Sequence, residues 1–223
     1  MKIAAILGSP RGMKGNTGLL LSEVIRSAEQ TGALVSILSL SDYEVKPCRS
    51  CDTCHKTGSC PIHDDYQTFK TAMLHADGIV LASPNYISSV SAQMKALLDR
   101  SCGALHCQSM NGKYGAAVVT SGGGGSEEVE RYLLRFLRSL GCWTVGGAGA
   151  DAGQLADEKT RVQCLRKAAD LGRVLCESIR AKVTFPPQVQ EKTTFFERMK
   201  QLITGRRDDW PFEYDYWKSQ GRL

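Results

Sequence analysis

The sequence predicts an α/β fold: a doubly wound, five-stranded parallel sheet of order 2-1-3-4-5, with helices on both faces and a C-terminal extension. Three observations predict it. Short, continuously apolar segments alternate with amphipathic ones about five times before residue 183, as strands buried on both faces do. One helix-like segment between successive strands suits right-handed β-α-β crossovers. The 223 residues, 42% apolar and 23% charged, suffice to bury a sizeable core without staples.

The elements follow in order. Residues 2–7 read as a buried strand. Residues 16–30 place Leu19, Leu20, Val24, Ile25 and Ala28 at helical spacing. Residues 34–40 are a second strand and 65–76 a short helix. Residues 78–82 are a third strand, followed by a helix over 91–99. Residues 114–120 are a fourth strand, with a strong amphipathic helix over 127–140. Residues 142–145 form a short fifth strand, and 157–181 a long amphipathic helix. The domain is therefore expected to span 1–183. Pro186-Pro187 is expected to end the regular pattern. The extension, 184–223, carries a short helix around 195–203 and a tail, 210–217, with two of the three tryptophans. Exposed aromatics at that density are costly, so the tail is expected to pack on the domain or on a partner subunit.

Lys plus Arg is 28 against 23 Asp plus Glu, a net charge of +5 with no basic block, so charge does not suggest nucleic acid. No run approaches eighteen apolar residues, and the N-terminal apolar run is too short for a signal segment. A cytoplasmic location without a membrane span is expected.

Three loops follow the central strands. The first, Gly8-Ser9-Pro10-Arg11-Gly12-Met13-Lys14-Gly15-Asn16-Thr17-Gly18, is neither a Walker A loop nor a dinucleotide fingerprint. Its small hydroxyl and amide residues at a helix start suit a terminal monophosphate. The alternative is an ordinary glycine-rich turn with Asn16 or Thr17 as helix cap. The second, Ser83-Pro84-Asn85-Tyr86-Ile87, has a proline that rigidifies the backbone and an aromatic face for a flat ligand. The third, Ser121-Gly122-Gly123-Gly124-Gly125-Ser126, lets backbone amides approach a ligand closely.

These residues resemble a family. Gly8-Ser9-Pro10-Arg11 followed by Gly15-Asn16-Thr17 is similar to the G-S-P-R-x-x-[GS]-N-T loop of flavodoxin-like NAD(P)H-dependent FMN reductases, with one extra loop residue. The stretch from Ser83 to Arg100 resembles the family's S-P-x-Y-x-x-x-x-[ST]-A-x-x-K-x-x-x-D-R segment. The resemblance implies FMN, with its phosphate at Ser9, Arg11, Gly15, Asn16 and Thr17. It implies that the isoalloxazine lies against Ser83, Pro84, Asn85, Tyr86 and Ile87, and the position of Ser121, Gly122, Gly123 and Gly124 at the same sheet edge suits amides that donate to its polar edge. It also implies NAD(P)H as co-substrate and a homodimer or homotetramer. The acceptor would be free flavin, a quinone or a redox protein. The cofactor carries such chemistry, so no catalytic acid, base or nucleophile is assigned.

Cys48, Cys51, Cys54 and Cys60 lie within thirteen residues. Thiolates at this spacing suit iron–sulfur or zinc. The run also resembles that of the iron–sulfur flavoproteins, which implies a [4Fe–4S] cluster and an alternative role as an electron carrier for ferredoxin-like partners. Zinc, with His63 as substitute ligand, and reduced or disulfide-forming thiols remain open. Cys142, Cys164 and Cys176 read as small buried hydrophobes. Cys102 and Cys107 flank His106, where a Cys–His nucleophile would need a third orienting group that the sequence does not display. His55 and His75 read as surface or helix residues.

Overall fold

Apolar side chains on both faces of one strand demand cover on both sides, and the chain supplies it in sequence. The computed structural model describes residues 1–223. Its elements are β1 (Lys2–Leu7), α1 (Asn16–Gln30), β2 (Leu34–Ser39), α2 (Thr53–Thr57), α3 (Tyr66–His75), β3 (Gly78–Pro84), α4 (Ala92–Arg100) and α5 (Cys102–His106). They continue as β4 (Tyr114–Ser121), α6 (Ser126–Ser139), β5 (Trp143–Asp151), α7 (Ala152–Ala156), α8 (Glu158–Ala181), α9 (Pro186–Gly205) and α10 (Pro211–Ser219). The sheet is parallel throughout, in the order β2-β1-β3-β4-β5. That is the expected order.

Ile3, Ala5, Leu7, Val80, Ala82, Ala116 and Val118 join one core with α1 and α8. Ile6, Ile79, Leu81, Ala117 and Val119 join the other with α3, α4 and α6. Adjacent strand residues thus alternate between two buried faces, which is why each strand reads as an unbroken apolar run. On the first face α1 and α8 touch backbone to backbone. A Cβ on Gly172 would lie 2.2 Å from the Val24 carbonyl oxygen.

Two expectations need correction, and four helices are ones the sequence did not mark. β5 runs to Asp151, well beyond residue 145. Its glycines resemble a loop, but Gly147 and Gly149 pair with β4 under the side chains of Glu130 and Ser126. Pro186 and Pro187 open a 20-residue helix; proline lacks an N–H that the first helical turn does not use, so a Pro pair marks a start as readily as a stop. The tail is itself helical, as α10. Finally, α2, α5 and α7 are five-residue helices, too short to show a period. No helix is long and apolar enough to cross a membrane.

Candidate functional site

Two regions concentrate chemistry, at opposite ends of α4. The first is the carboxyl edge of β1, β3 and β4. The Gly8 N–H donates to the Ala82 carbonyl (2.7 Å), and the Asn85 N–H to that of Thr120 (2.6 Å). The Thr17 and Thr120 hydroxyls pair at 2.6 Å. Neither Asn16 nor Thr17 caps α1. Gly15 is the N-cap, and no side chain closes the helix start. Its first-turn N–H groups are therefore available to an anion. The preceding turn is tight: a Cβ on Gly18 would lie 2.5 Å from the Met13 backbone. Ser9 is buried and its Oγ accepts the Arg11 N–H at 3.3 Å.

The second loop is braced from inside. The buried Ser83 Oγ accepts the Ser91 N–H (3.0 Å) and donates to the Pro84 carbonyl (2.9 Å). Backbone hydrogen bonds between Tyr86 and Ser89 close a turn, with Ile87 and Ser88 at φ +50° and +57°. A β-branched residue in the left-handed region is strained, and the Ile87 side chain is fully exposed. Asn85 Nδ2 donates to the Gly124 carbonyl at 3.4 Å, whereas its Oδ1 is buried with no partner. The amides of Gly122 and Gly123 donate to no group of the chain, and the space above both is open. An orphaned buried acceptor, two free donors and an uncapped helix start on one edge suit a flat, polar-edged, phosphorylated ligand. FMN fits that donor and acceptor set.

The second region is the long β2–α3 connection. Cys48, Cys51, Cys54 and Cys60 line one cavity of about 320 Å³ with His55, Arg100 and Cys102. The ends of the connection are pinned by a buried bidentate pair. Arg100 Nη1 and Nη2 donate to Asp64 at 2.7 and 3.1 Å. Asp64 also accepts the N–H groups of Lys46 and Tyr66. Burial alone would raise the Asp64 pKa; the Arg100 bonds and those two amides outweigh it and hold the carboxyl low. Arg100 also lies 4.6 Å above the Tyr66 ring. Its Nε is buried without a partner, and Cys60 adjoins the guanidinium. The Ser50 N–H donates to Cys48 Sγ at 3.4 Å. Hydroxyl and amide bonds from Thr53 lower the Cys51 pKa. Four soft donors around one cavity, with donors turned to the sulfurs, suit an iron–sulfur cluster by the chemistry of the set.

The C-terminal helix reaches this region. Glu213 on α10 is fully buried. Its Oε1 lies 2.5 Å from His55 Nδ1 and its Oε2 3.0 Å from His106 Nδ1. Trp210 covers both imidazoles at 4.8 and 5.0 Å. The Trp217 indole N–H donates to the His106 carbonyl at 2.9 Å. Phe212 sits where a Cβ on Gly58 would be, 2.4 Å away. Hydrogen bonds from His106, then His55, bring the Cys102 thiol down to about 6. Burial would depress His106, but Cys102 and Glu213 raise it to about 9. Hydrogen bonds from Cys102, Cys54 and Glu213 raise His55 against its burial, and the two imidazoles hold Glu213 low against its own.

His55 lies in a helix, one of the two places expected for it, but it is buried and not on the surface, and the missing orienting group for His106 is Glu213. The i, i+4 spacing of Cys102 and His106 carried a local signal. Glu213, 107 residues further on, carried none. His63 is absent from the cysteine cavity lining.

The model of the family described as NADPH-dependent FMN reductase matches residues 1–156. An iron-sulfur flavoprotein of Archaeoglobus fulgidus is 33% identical over 228 residues, covering 99% of this chain and 99% of its own. That match runs through α9 and α10. An iron-sulfur flavoprotein of Methanocaldococcus jannaschii is 40% identical over 138 residues, 61% of this chain and 71% of its own. The solved NAD(P)H:quinone oxidoreductase of Methanothermobacter marburgensis superposes with a TM-score of 0.63 at 16% identity, over 78% of this chain and 96% of its own. This last likeness is one of fold.

Proposed function

The chain belongs to the NADPH-dependent FMN reductase family, and from that premise we propose an FMN oxidoreductase that takes electrons from NAD(P)H. In this reading Cys48, Cys51, Cys54 and Cys60 hold an iron–sulfur cluster, and the acceptor is a small molecule or a redox protein. Bound FMN supplies hydride acceptance and both one- and two-electron transfer; the protein's part is to bind and orient.

The α1 N-terminus, with Ser9, Arg11, Gly15 and Asn16, receives the phosphate. Thr17, whose hydroxyl already meets Thr120, fixes the loop against β4. Asn85 Oδ1 accepts a ligand N–H, and the Gly122 and Gly123 amides donate to ligand oxygens. Ser83, Pro84, Tyr86 and Ile87 form the wall beside the ring, and Ser121 holds the Gly124 amide at 3.2 Å. The orphaned Asn85 Oδ1 among three convergent loops is the observation that carries the flavin half. Sulfur donors around one cavity carry the cluster half, which the names of the two relatives support. A homodimer or homotetramer belongs to the same proposal, and light scattering reads it.

An anaerobic absorbance spectrum with FMN, iron and sulfide counted on one sample tests both halves. Flavin bands with about four iron per chain agree with the proposal; flavin without iron removes the cluster. Stopped-flow mixing with NADPH then tests the donor. Absence of flavin bleaching, with full reduction by a ferredoxin, would replace the reductase with an electron carrier.

A further inference from the structure

We propose that His55, Cys102 and His106 form a second metal site, for a divalent transition ion of the zinc class, separate from the four-cysteine run. The ligand atoms of the three residues all lie within 4.8 Å of one another. Cys102 and His106 stand one turn apart on α5, with Sγ and Nε2 3.7 Å apart. Zn–S and Zn–N bonds of about 2.3 and 2.0 Å in a tetrahedron set an S–N edge of about 3.5 Å. The observed pair, at 3.7 Å, is close to that spacing.

Glu213 supports the assignment. Its two oxygens take the Nδ1 atoms of both histidines, which leaves each ring its Nε2. A carboxylate behind a ligating imidazole fixes the tautomer and strengthens the donor, as the outer shell of metal-bound histidines commonly does. One fully buried carboxylate serving two rings that share one thiolate is more than a single Cys–His pair requires. Trp210 covers the rings, and Trp217 fixes the His106 backbone. Two imidazoles and a thiolate are the borderline-soft set that zinc and its neighbours favour. Asp52 Oδ1, 3.9 Å from His55 Nε2, is a further oxygen donor beside the three. None of the three ligands belongs to the cysteine run; His55 and Cys102 do line the same cavity and His55 follows Cys54 directly, so counting cobalt and iron on one sample is what tells the two sites apart.

The test equilibrates the full-length protein with Co²⁺, desalts it, and counts cobalt and iron per chain beside the absorbance spectrum. One cobalt per chain with a thiolate-to-cobalt band is expected. Cys102→Ala and His106→Gln should each lose that cobalt without losing iron, whereas Cys51→Ala should keep it. In Glu213→Gln the cobalt affinity should fall about 10–100-fold. Cobalt content independent of both Cys102 and His106 would overturn the site, as would its absence from the wild type. Circular dichroism checks folding. Should His106→Gln unfold, Cys102→Ser, a change of one atom, decides.

Discussion

The flavin-type edge and the cysteine region sit at the two ends of α4. Ser91 braces the one and Arg100 pins the other, about 13 Å apart along a helix of 1.5 Å rise per residue. They are built differently. At the sheet edge the working groups are mainly backbone amides and short side chains, each placed by the strand before it. Around the cysteines they are long side chains, and their positions depend on α10, which arrives from the far end of the chain. A site held by backbone should yield only to changes that move backbone. A site held by buried side chains should yield to the loss of a distant anchor.

The largest expected effect tests the distant anchor. Trp217 is fully buried against α9 and α5, and Trp217→Ala should cost about 3–5 kcal/mol. Urea unfolding measures it, and iron should leave before flavin. Flavin lost first would erase the proposed independence of the two ends.

Next, Gly18→Ala sets a methyl 2.5 Å from the Met13 backbone, which has no flexible end to swing aside. An overpacking cost of about 1–3 kcal/mol should fall on the phosphate loop. FMN titration by fluorescence quenching should show weaker binding, with cysteine-region iron unchanged. An unaltered FMN affinity would mean that this turn does not shape the site.

A smaller effect comes from Asn16→Asp, which adds a negative charge beside the proposed phosphate position. At solvent-exposed separations like charges repel by about 1 kcal/mol, so FMN affinity should fall about five- to tenfold. Tighter binding would move the phosphate away from α1.

The gentlest perturbation is acid. Asp64 has a depressed pKa in the folded chain, so its contribution is intact above the unfolded value of about 3.9. It is lost only as pH falls through the lower, folded value. The wild-type urea midpoint should drop below about pH 4, and Asp64→Asn should remove that part of the dependence. Identical pH profiles would show that the buried pair does not anchor the cysteine connection.

The strands, the three carboxyl-edge loops and the cysteine run were legible because each is local, and the sheet order followed from the doubly wound topology that such alternation favours. A strand buried on both faces announces itself within six residues, and the loop after it follows by chain continuity. Pro186-Pro187 misled because proline suits a helix start as well as its end, and Gly146–Gly149 because a strand covered by a neighbouring helix can dispense with side chains. What the sequence by itself determined was therefore the α/β frame and the position of its working edge, since apolar periodicity and β-α connection are nearest-neighbour properties. Only the tertiary structure decided that His55 is buried, that Cys102 and His106 face it, and that Glu213 completes them. Those contacts join residues 107 and 158 positions apart. Removing their polar groups from water is tolerable only after α10 has closed over them and their hydrogen bonds are made, a condition that no local pattern expresses.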